Sequence, residues 1–434
     1  MPMTRLFRAC VALLCGLTLY VAAQGDWTRD TPRFLVYWVV LAAIYVAALF
    51  SGGVFGRESP GISSRDLRWA LAALLSVRIV MAFGEPMLSD DVYRSVWEGR
   101  VQRASGNPFA WADRPEALKW AALRDGYVYP RINHPDYAAI YPPAWQWAMR
   151  GVNVLSDSVT AVKLFVVFCE LLFWLGLWRL LQLRGLSLAR ILIAAASPLA
   201  MIEIAGGGHS EAMGMALLVW TLVLLECRSR AGAAVALALA VLSKLIPAIL
   251  ALPWLRRFRL RDFALMAAVG LVLSATFVDE TALWSLRKYG DYWRFNEAFF
   301  ALFAGASGSH RGGVLISAAL LVGLGFWLAR READIARGGL LMSIALILVM
   351  PNVLPWYALW LLVFVPVAER TPIAASALVF TLTVPLAYLV YPGWLGGGAW
   401  YLPWAVRAVE YGLPVLVGVV AWRWGTLRGV RDIS

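Results

Sequence analysis

The sequence predicts an all-α, polytopic membrane protein with about 12 full spans, one broken or re-entrant hairpin, and a large first extracytoplasmic loop containing short helices. Three observations predict it. Of 434 residues, 61% are hydrophobic and only 15% are charged, a balance outside the range of soluble domains. The apolar runs approach the roughly 20 residues that a spanning helix needs. They are rich in Leu and Ala and too long for barrel strands.

The first run, residues 6–23, follows Arg5 and Arg8. A signal peptide shares that pattern, and Val21-Ala-Ala23 resembles a cleavage site. The length of the run and the consistent topology favour a retained first span. Runs 34–55 and 67–83 follow, and then the apolar pattern stops for the long loop 85–158. Spans resume at 159–181, 189–205 and 212–227. Residues 231–255 form one apolar stretch, broken by Ser243-Lys244-Leu-Ile-Pro247. A single crossing there would carry Arg256, Arg257, Arg259 and Arg261 to the opposite side. The stretch therefore reads as a hairpin that turns at 244–247. Each arm has about 12 residues, too few to cross about 30 Å. Such irregular backbone is tolerated only against protein or a wet cavity. Span 263–278, a second loop at 279–311 and span 313–329 come next. The pair 340–350 and 356–368 is also short and turns at Pro351-Asn-Val-Leu-Pro355. Spans 372–391 and 404–422 follow, with a Trp-rich turn at 392–403 between them.

The net charge of +12 does not call for nucleic acid, because the charge separates by side. Segments on the N-terminal side carry Arg5/Arg8, Arg57/Arg65/Arg68, Arg179/Arg184/Arg190, Arg228/Arg230, the four arginines from 256 to 261, Arg330/Arg331/Arg337 and Arg423/Arg428/Arg431. Together they are +13 after their acids are subtracted. Loop 85–158 has eight basic against nine acidic residues, and loop 279–311 has four against four. This is a positive-inside bias with both termini cytoplasmic and both large loops outside. Residues 1–434 read as one membrane domain, in which 85–158 is the catalytic loop and 279–311 a second outer loop. Cys10, Cys15, Cys169 and Cys227 fall in or beside spans and suggest no disulfide framework.

A membrane protein needs no 70-residue loop merely to remain in the bilayer, so the chemistry is sought there. Ser89 is a good N-cap for a helix running to about Ala104, with Val92, Val96, Trp97 and Val101 as its apolar stripe. Gly106-Asn-Pro108 ends it, and a second short helix is expected over 144–154. Asp90-Asp91 opens the first helix. In a bland reading the pair merely complements the helix dipole. In a functional reading it is a general base with a helper, placed where a lipid substrate arrives.

Asp90-Asp-Val-Tyr93, Trp97-Glu-Gly-Arg100 and Gly106-Asn-Pro-Phe109 resemble the first outer loop of GT-C glycosyltransferases. The bacterial branch with polyprenyl-phosphate-mannose-dependent mannosyltransferases is the most similar. Tyr141-Pro-Pro143, Lys244 with Pro247, and Pro355-Trp-Tyr357 look like further landmarks of that branch. The resemblance implies an inner-membrane enzyme with an extracytoplasmic active site. It would transfer mannose or a similar sugar from a polyprenyl-phosphate donor to a lipid or glycan acceptor. In an inverting displacement a carboxylate takes the acceptor's proton. Asp90 is the first choice for that base, and Asp91 would support it or hold a metal. A divalent cation is compatible with the pair, but no cofactor is indicated. The leaving phosphate needs cations, for which Lys244, Arg131, Arg294, His310 and Arg311 are the candidates. Tyr93, His134, Asp136, Tyr141, His209, Trp356 and Tyr357 would contact substrate.

Each candidate has a plainer account. Lys244 could snorkel to the interface, although charges inside membranes usually mark function. Arg294 could be interface packing among Tyr292, Trp293 and Phe295. Each of His134, His209 and His310 alone suits ordinary hydrogen bonding, and no zinc spacing is present. Gly206-Gly-Gly208 lacks the Lys-Ser/Thr of a nucleotide loop. Two competing functions remain open: a transporter or flippase of a lipid-linked sugar, which also uses broken helices, and a structural subunit of a polysaccharide assembly complex.

Overall fold

The computed structural model describes residues 2–55, 62–369 and 371–431. Arg57 of the charge count lies outside the described residues, as do the side chains of Arg428 and Arg431. The described chain is helical, and its β-structure is a single bridge between Phe295 and Asn352.

Among the described residues, seven helices are long and apolar enough to cross a membrane, or eight if the bent pair Leu188–Ala195 and Pro198–Gly206 is one span. This is a multi-pass membrane architecture in which fewer described helices have full spanning length than the twelve spans expected. Several expected spans are short or broken helices. Glu211–Glu226 has 16 residues and Ile335–Val349 has 15, and the arm Arg230–Ser243, expected to be too short to cross, has 14. At 1.5 Å per residue such helices reach about 21–24 Å, less than a bilayer core. The bent pair turns by 49° at Ser197-Pro198. The expected span 67–83 is the 19-residue helix Ser64–Ala82, which carries Arg65, Asp66, Arg68 and Arg78.

The Arg-rich segments gather at one end of the bundle. Arg184 pairs with Glu226 at 2.7 Å and with Asp334 at 2.9 Å. Arg257 donates to the Ala333 carbonyl at 2.6 Å, and Arg190 to that of Ala368. The helices Val159–Leu183, Glu211–Glu226, Arg230–Ser243 and Ile335–Val349 each have one terminus in or beside this cluster. Their other termini meet at the opposite end, beneath the long loop. The 231–255 stretch behaves as the hairpin its sequence suggests. It breaks after Ser243, turns through Ile246–Leu250, and returns along the 3-10 helix Leu252–Arg257 to the arginine end.

Two cations buried within the bundle fix this frame. Arg78 Nε lies 2.7 Å from Glu170 Oε2, both side chains fully buried, with the guanidinium over the Trp174 ring. Lys163 Nζ donates to the carbonyls of Met81 at 2.8 Å and Gly84 at 2.7 Å. It thereby ties the C-terminal end of the Ser64–Ala82 helix, and the turn just after it, to the Val159–Leu183 helix. The long loop starts from that anchored point.

Arg78→Met should destabilise the fold by about 3–5 kcal/mol, because it strands a buried carboxylate. Adding Glu170→Leu should recover most of the loss. Thermal unfolding of the detergent-solubilised single and double variants measures both effects. A double variant no better than the single one would show that the pair is not the cause.

Candidate active site

A cavity of about 810 Å³ opens at the end opposite the arginine cluster. Its walls come from the N-terminus of the Asp91–Arg103 helix, segment 133–142, the break at 244–246, segment 289–295, segment 350–357, and segment 387–400.

The two aspartates converge. Asn133 Nδ2 donates to Asp90 Oδ1 at 2.8 Å and to Asp91 Oδ1 at 2.6 Å. Tyr141 OH donates to Asp91 Oδ2 at 2.9 Å. The helix starts one residue later than expected, with Asp90 rather than Ser89 at the N-cap, because Ser89 Oγ accepts from the Asp91 N–H at 3.3 Å. Asp90 makes no side-chain capping bond to the helix. Both carboxylates sit at the helix N-terminus, where the dipole favours them, and that of Asp90 is directed to Asn133. Asp90 is accessible within the cavity yet surrounded by protein. That desolvation, with the Asp91 charge beside it, raises its pKa to about 6, while the Asn133 hydrogen bond opposes the rise.

Arg94 holds the segment that carries Asn133. Its guanidinium donates to the carbonyls of Asn133 at 3.1 Å, His134 at 3.0 Å and Tyr137, and Glu98 Oε1 accepts from its Nε at 3.0 Å. Gln146 in turn donates to Glu98 Oε2 at 2.6 Å. The clamp keeps His134 in a left-handed conformation, φ 45°, a region that few non-glycine residues occupy. Partial desolvation lowers the His134 pKa, with Asp136 opposing, so the ring is neutral at pH 7.

Below the aspartates, Lys244 Nζ lies 2.8 Å from Glu211 Oε1 and 3.3 Å from Ser210 Oγ, and it faces the rings of Tyr141 and Tyr357 at 4.7 and 5.8 Å. Tyr357 OH and Tyr289 OH are 3.1 Å apart, and Asn352 Nδ2 donates to Tyr289 OH at 2.6 Å. His209 is buried behind this floor, stacked on Trp356 at 4.1 Å, with Nδ1 2.7 Å from the Glu203 carbonyl.

Of the residues singled out in the sequence, Asp90, Asp91, His134, Tyr141, Lys244, Arg294, Trp356 and Tyr357 line one cavity. His209 supports its wall. Five lie elsewhere. Arg131 packs on the Tyr127 ring at 4.6 Å, and Tyr93 OH donates to Glu85 Oε2 at 3.2 Å. Asp136 is exposed beside the cavity rim. His310 Nε2 meets the Gly290 carbonyl at 2.8 Å, and Arg311 makes a two-pronged pair with Asp291 at 2.9 and 2.8 Å. Arg294 is itself paired with Glu297 at 2.8 Å. Sequence reasoning missed Asn133, Arg94, Glu211 and Asn352. Glu211 alone had a usable signal, being an acidic residue at the edge of an apolar run one helix away from Lys244. Among the described residues no group of three His, Cys, Asp or Glu is placed to hold a metal ion.

A family model described as alpha-(1->6)-mannopyranosyltransferase, N-terminal domain, matches residues 20–261, more than half of the chain and every residue of the Asp90–Asn133–Lys244 arrangement. Alpha-(1->6)-mannopyranosyltransferase A of Corynebacterium glutamicum is 29% identical over an alignment of 210 residues that covers 46% of this chain and 40% of the relative. The chain thus matches less than half the length of that curated relative. No solved structure matches.

Arg94→Met should release segment 133–137 while leaving the Asp91–Arg103 helix in place. Amide hydrogen exchange across 133–139 should then quicken at least about tenfold, the equivalent of losing about 1.4 kcal/mol of local protection. Unchanged exchange there would show that Arg94 does not hold the loop.

Proposed function

Because the chain belongs to the alpha-(1->6)-mannopyranosyltransferase family, we propose that it transfers a mannosyl unit from a polyprenyl-phosphate donor to a glycan or glycolipid acceptor at the extracytoplasmic face. The observation that carries this reading is the pair Asp90–Asp91, joined through Asn133, in one cavity with Lys244. A base and a phosphate-binding cation are the two groups that such a transfer requires.

The acceptor hydroxyl attacks the anomeric carbon. The bond from that carbon to the phosphate oxygen breaks, polyprenyl phosphate departs with the electron pair, and Asp90 takes the hydroxyl proton. Inversion at the anomeric carbon would give an α linkage from a β-linked donor. Asp91 and Asn133 orient Asp90, and Tyr141 holds Asp91 through its second oxygen. Lys244 meets the charge that builds on the departing phosphate. Its site is partly screened from water, where such an interaction is stronger than in bulk solvent. Arg294 can reach the same phosphate if it exchanges its Glu297 partner. His134, Trp356 and Tyr357 would shape the sugar pocket.

Asp90 accepts a proton only when ionised, so activity should rise with pH along a limb centred near 6. Below that value the carboxyl is protonated and the rate falls. Asp91→Asn removes one of the two causes of the raised pKa, so its limb should move to lower pH. Burial remains, so the limb should stay above the usual carboxylate range. Asp90→Asn should cost about 10²–10⁴-fold in kcat and abolish the limb. Transfer of radiolabelled mannose from a short-chain prenyl-phosphate donor by purified protein measures all three. An Asp90→Asn enzyme with wild-type kcat would rule out the assigned base. Purified protein that moves the lipid-linked sugar across vesicles without ever transferring it would establish the flippase reading instead.

A further inference from the structure

Four aromatic rings climb from the cavity floor to its mouth, and the transfer chemistry above uses none of them. Tyr388 stacks on Tyr391 with centroids 6.1 Å apart and planes 15° apart. Tyr391 meets Trp400 edge-on at 5.5 Å, and Trp400 meets Trp394 edge-on at 5.7 Å. All four line the cavity. Exposure increases along the series: Tyr388 is 3% exposed, Tyr391 intermediate, Trp400 36% and Trp394 49% exposed. The inner end is tied to the catalytic loop, because Tyr391 OH donates to the Leu88 carbonyl at 2.7 Å, two residues before Asp90. The outer two rings sit on the arms of a tight turn in which Gly397 has φ 83° and the Gly398 N–H donates to the Gly393 carbonyl at 2.9 Å.

Trp and Tyr at a membrane surface often serve as interfacial anchors. An anchoring ring faces lipid, and these rings face a cavity continuous with the aspartates. Their spacing is close to the length of one pyranose unit. Rings with alternating edge and face suit the apolar C–H faces of a saccharide, which stack on aromatic surfaces while the hydroxyls stay in water.

We propose that Tyr391, Trp400 and Trp394, backed by the buried ring of Tyr388, form a saccharide-stacking subsite that leads outward from Asp90 and takes an acceptor several sugars long. This deepens the transferase reading and rests on it for the direction of the chain: the reacting hydroxyl lies at the Asp90 end, and the earlier sugars lie along the ladder. The occupant is a neutral glycan, not a lipid tail, because the rings end in the open mouth while the aliphatic wall of the cavity, at Leu245 and Ile246, lies beside Lys244.

The test is calorimetric binding of α-(1->6)-linked mannose oligomers of one to four sugars to the full-length protein without donor. Affinity should rise with each added sugar, and the gain from the third and fourth should shrink about tenfold in Trp394→Ala and Trp400→Ala. Trp394→Tyr and Trp400→Tyr should restore most of it, which separates loss of a stacking ring from loss of folding. In transfer assays, the ratio of kcat/KM for the tetramer to that for the monomer should fall by a similar factor. Binding that does not depend on oligomer length in the wild type, or an equal loss for every length in the variants, overturns the subsite. Length-dependent binding with no transfer from any prenyl-phosphate donor would leave the subsite standing and overturn the reaction assigned above.

Discussion

No charge inside this bundle can be left without a partner, and meeting that constraint builds the site. In hydrocarbon, an unpaired ion or backbone polar group costs several kcal/mol. Lys163 answers it by binding the Met81 carbonyl at the end of the Ser64–Ala82 helix and the Gly84 carbonyl just beyond it. That contact fixes where the chain leaves the bundle, six residues before Asp90. Arg78 and Glu170 answer it for each other and lock the same helix against Val159–Leu183. Lys244 and Glu211 answer it at the cavity floor. Each pairing joins segments far apart in sequence, so the cavity's position follows from where buried ions meet.

The cavity is chemically two-sided. Its upper edge is acidic, at Asp90 and Asp91, and its floor carries Lys244 with a ring of tyrosine and tryptophan hydroxyl and indole groups around it. The proposed transfer matches both sides, with an acceptor hydroxyl at one, a donor phosphate at the other and an apolar ring face between them. Asp90 suits the role of base proposed for it. With a pKa near 6 it remains mostly ionised at pH 7 but is more basic than an ordinary aspartate. A general base works best when its pKa lies close to the working pH. The adjustment comes from the enclosing protein and the second carboxylate, and Asn133 keeps the two charges from repelling each other out of position.

Much of this was legible in the sequence, and the rest was hidden for definable reasons. Hydropathy identified the helical membrane class, and the polar breaks at Lys244 and Pro355 marked two segments that reach the cavity. The apolar runs count about twelve spans where seven or eight described helices have full spanning length, because hydropathy does not register helix length against bilayer thickness: the 16 residues of Glu211–Glu226 can be as apolar as 22. Asp90-Asp91 stood out because two adjacent acids directly follow an apolar span. Asn133 and Arg94 did not, since a hydrogen bond between residues 43 positions apart leaves no periodic trace. The cationic candidates divided on the same ground. Arg311 and His310 are on the expected loop, but Asp291 and the Gly290 carbonyl hold them there, away from the cavity.

The broken helices explain how Lys244 comes to stand at the cavity floor, where the proposed transfer needs a cation. Glu211 is the first residue of its helix, where the macrodipole favours a negative charge. Lys244 is the residue that ends the Arg230–Ser243 helix, where the dipole favours a positive charge. Each member of the pair therefore has a second source of stabilisation that does not depend on the other. An unbroken membrane helix would place its ends at the bilayer surfaces, far from the chemistry. By stopping short, these two helices bring a positive and a negative terminus to the same point beneath the aspartates. If a donor phosphate drew the Lys244 ammonium toward itself, Glu211 would keep the support of its helix N-terminus. The cost of exchanging partners is thereby reduced, and the ion pair does not by itself close the cavity to a substrate.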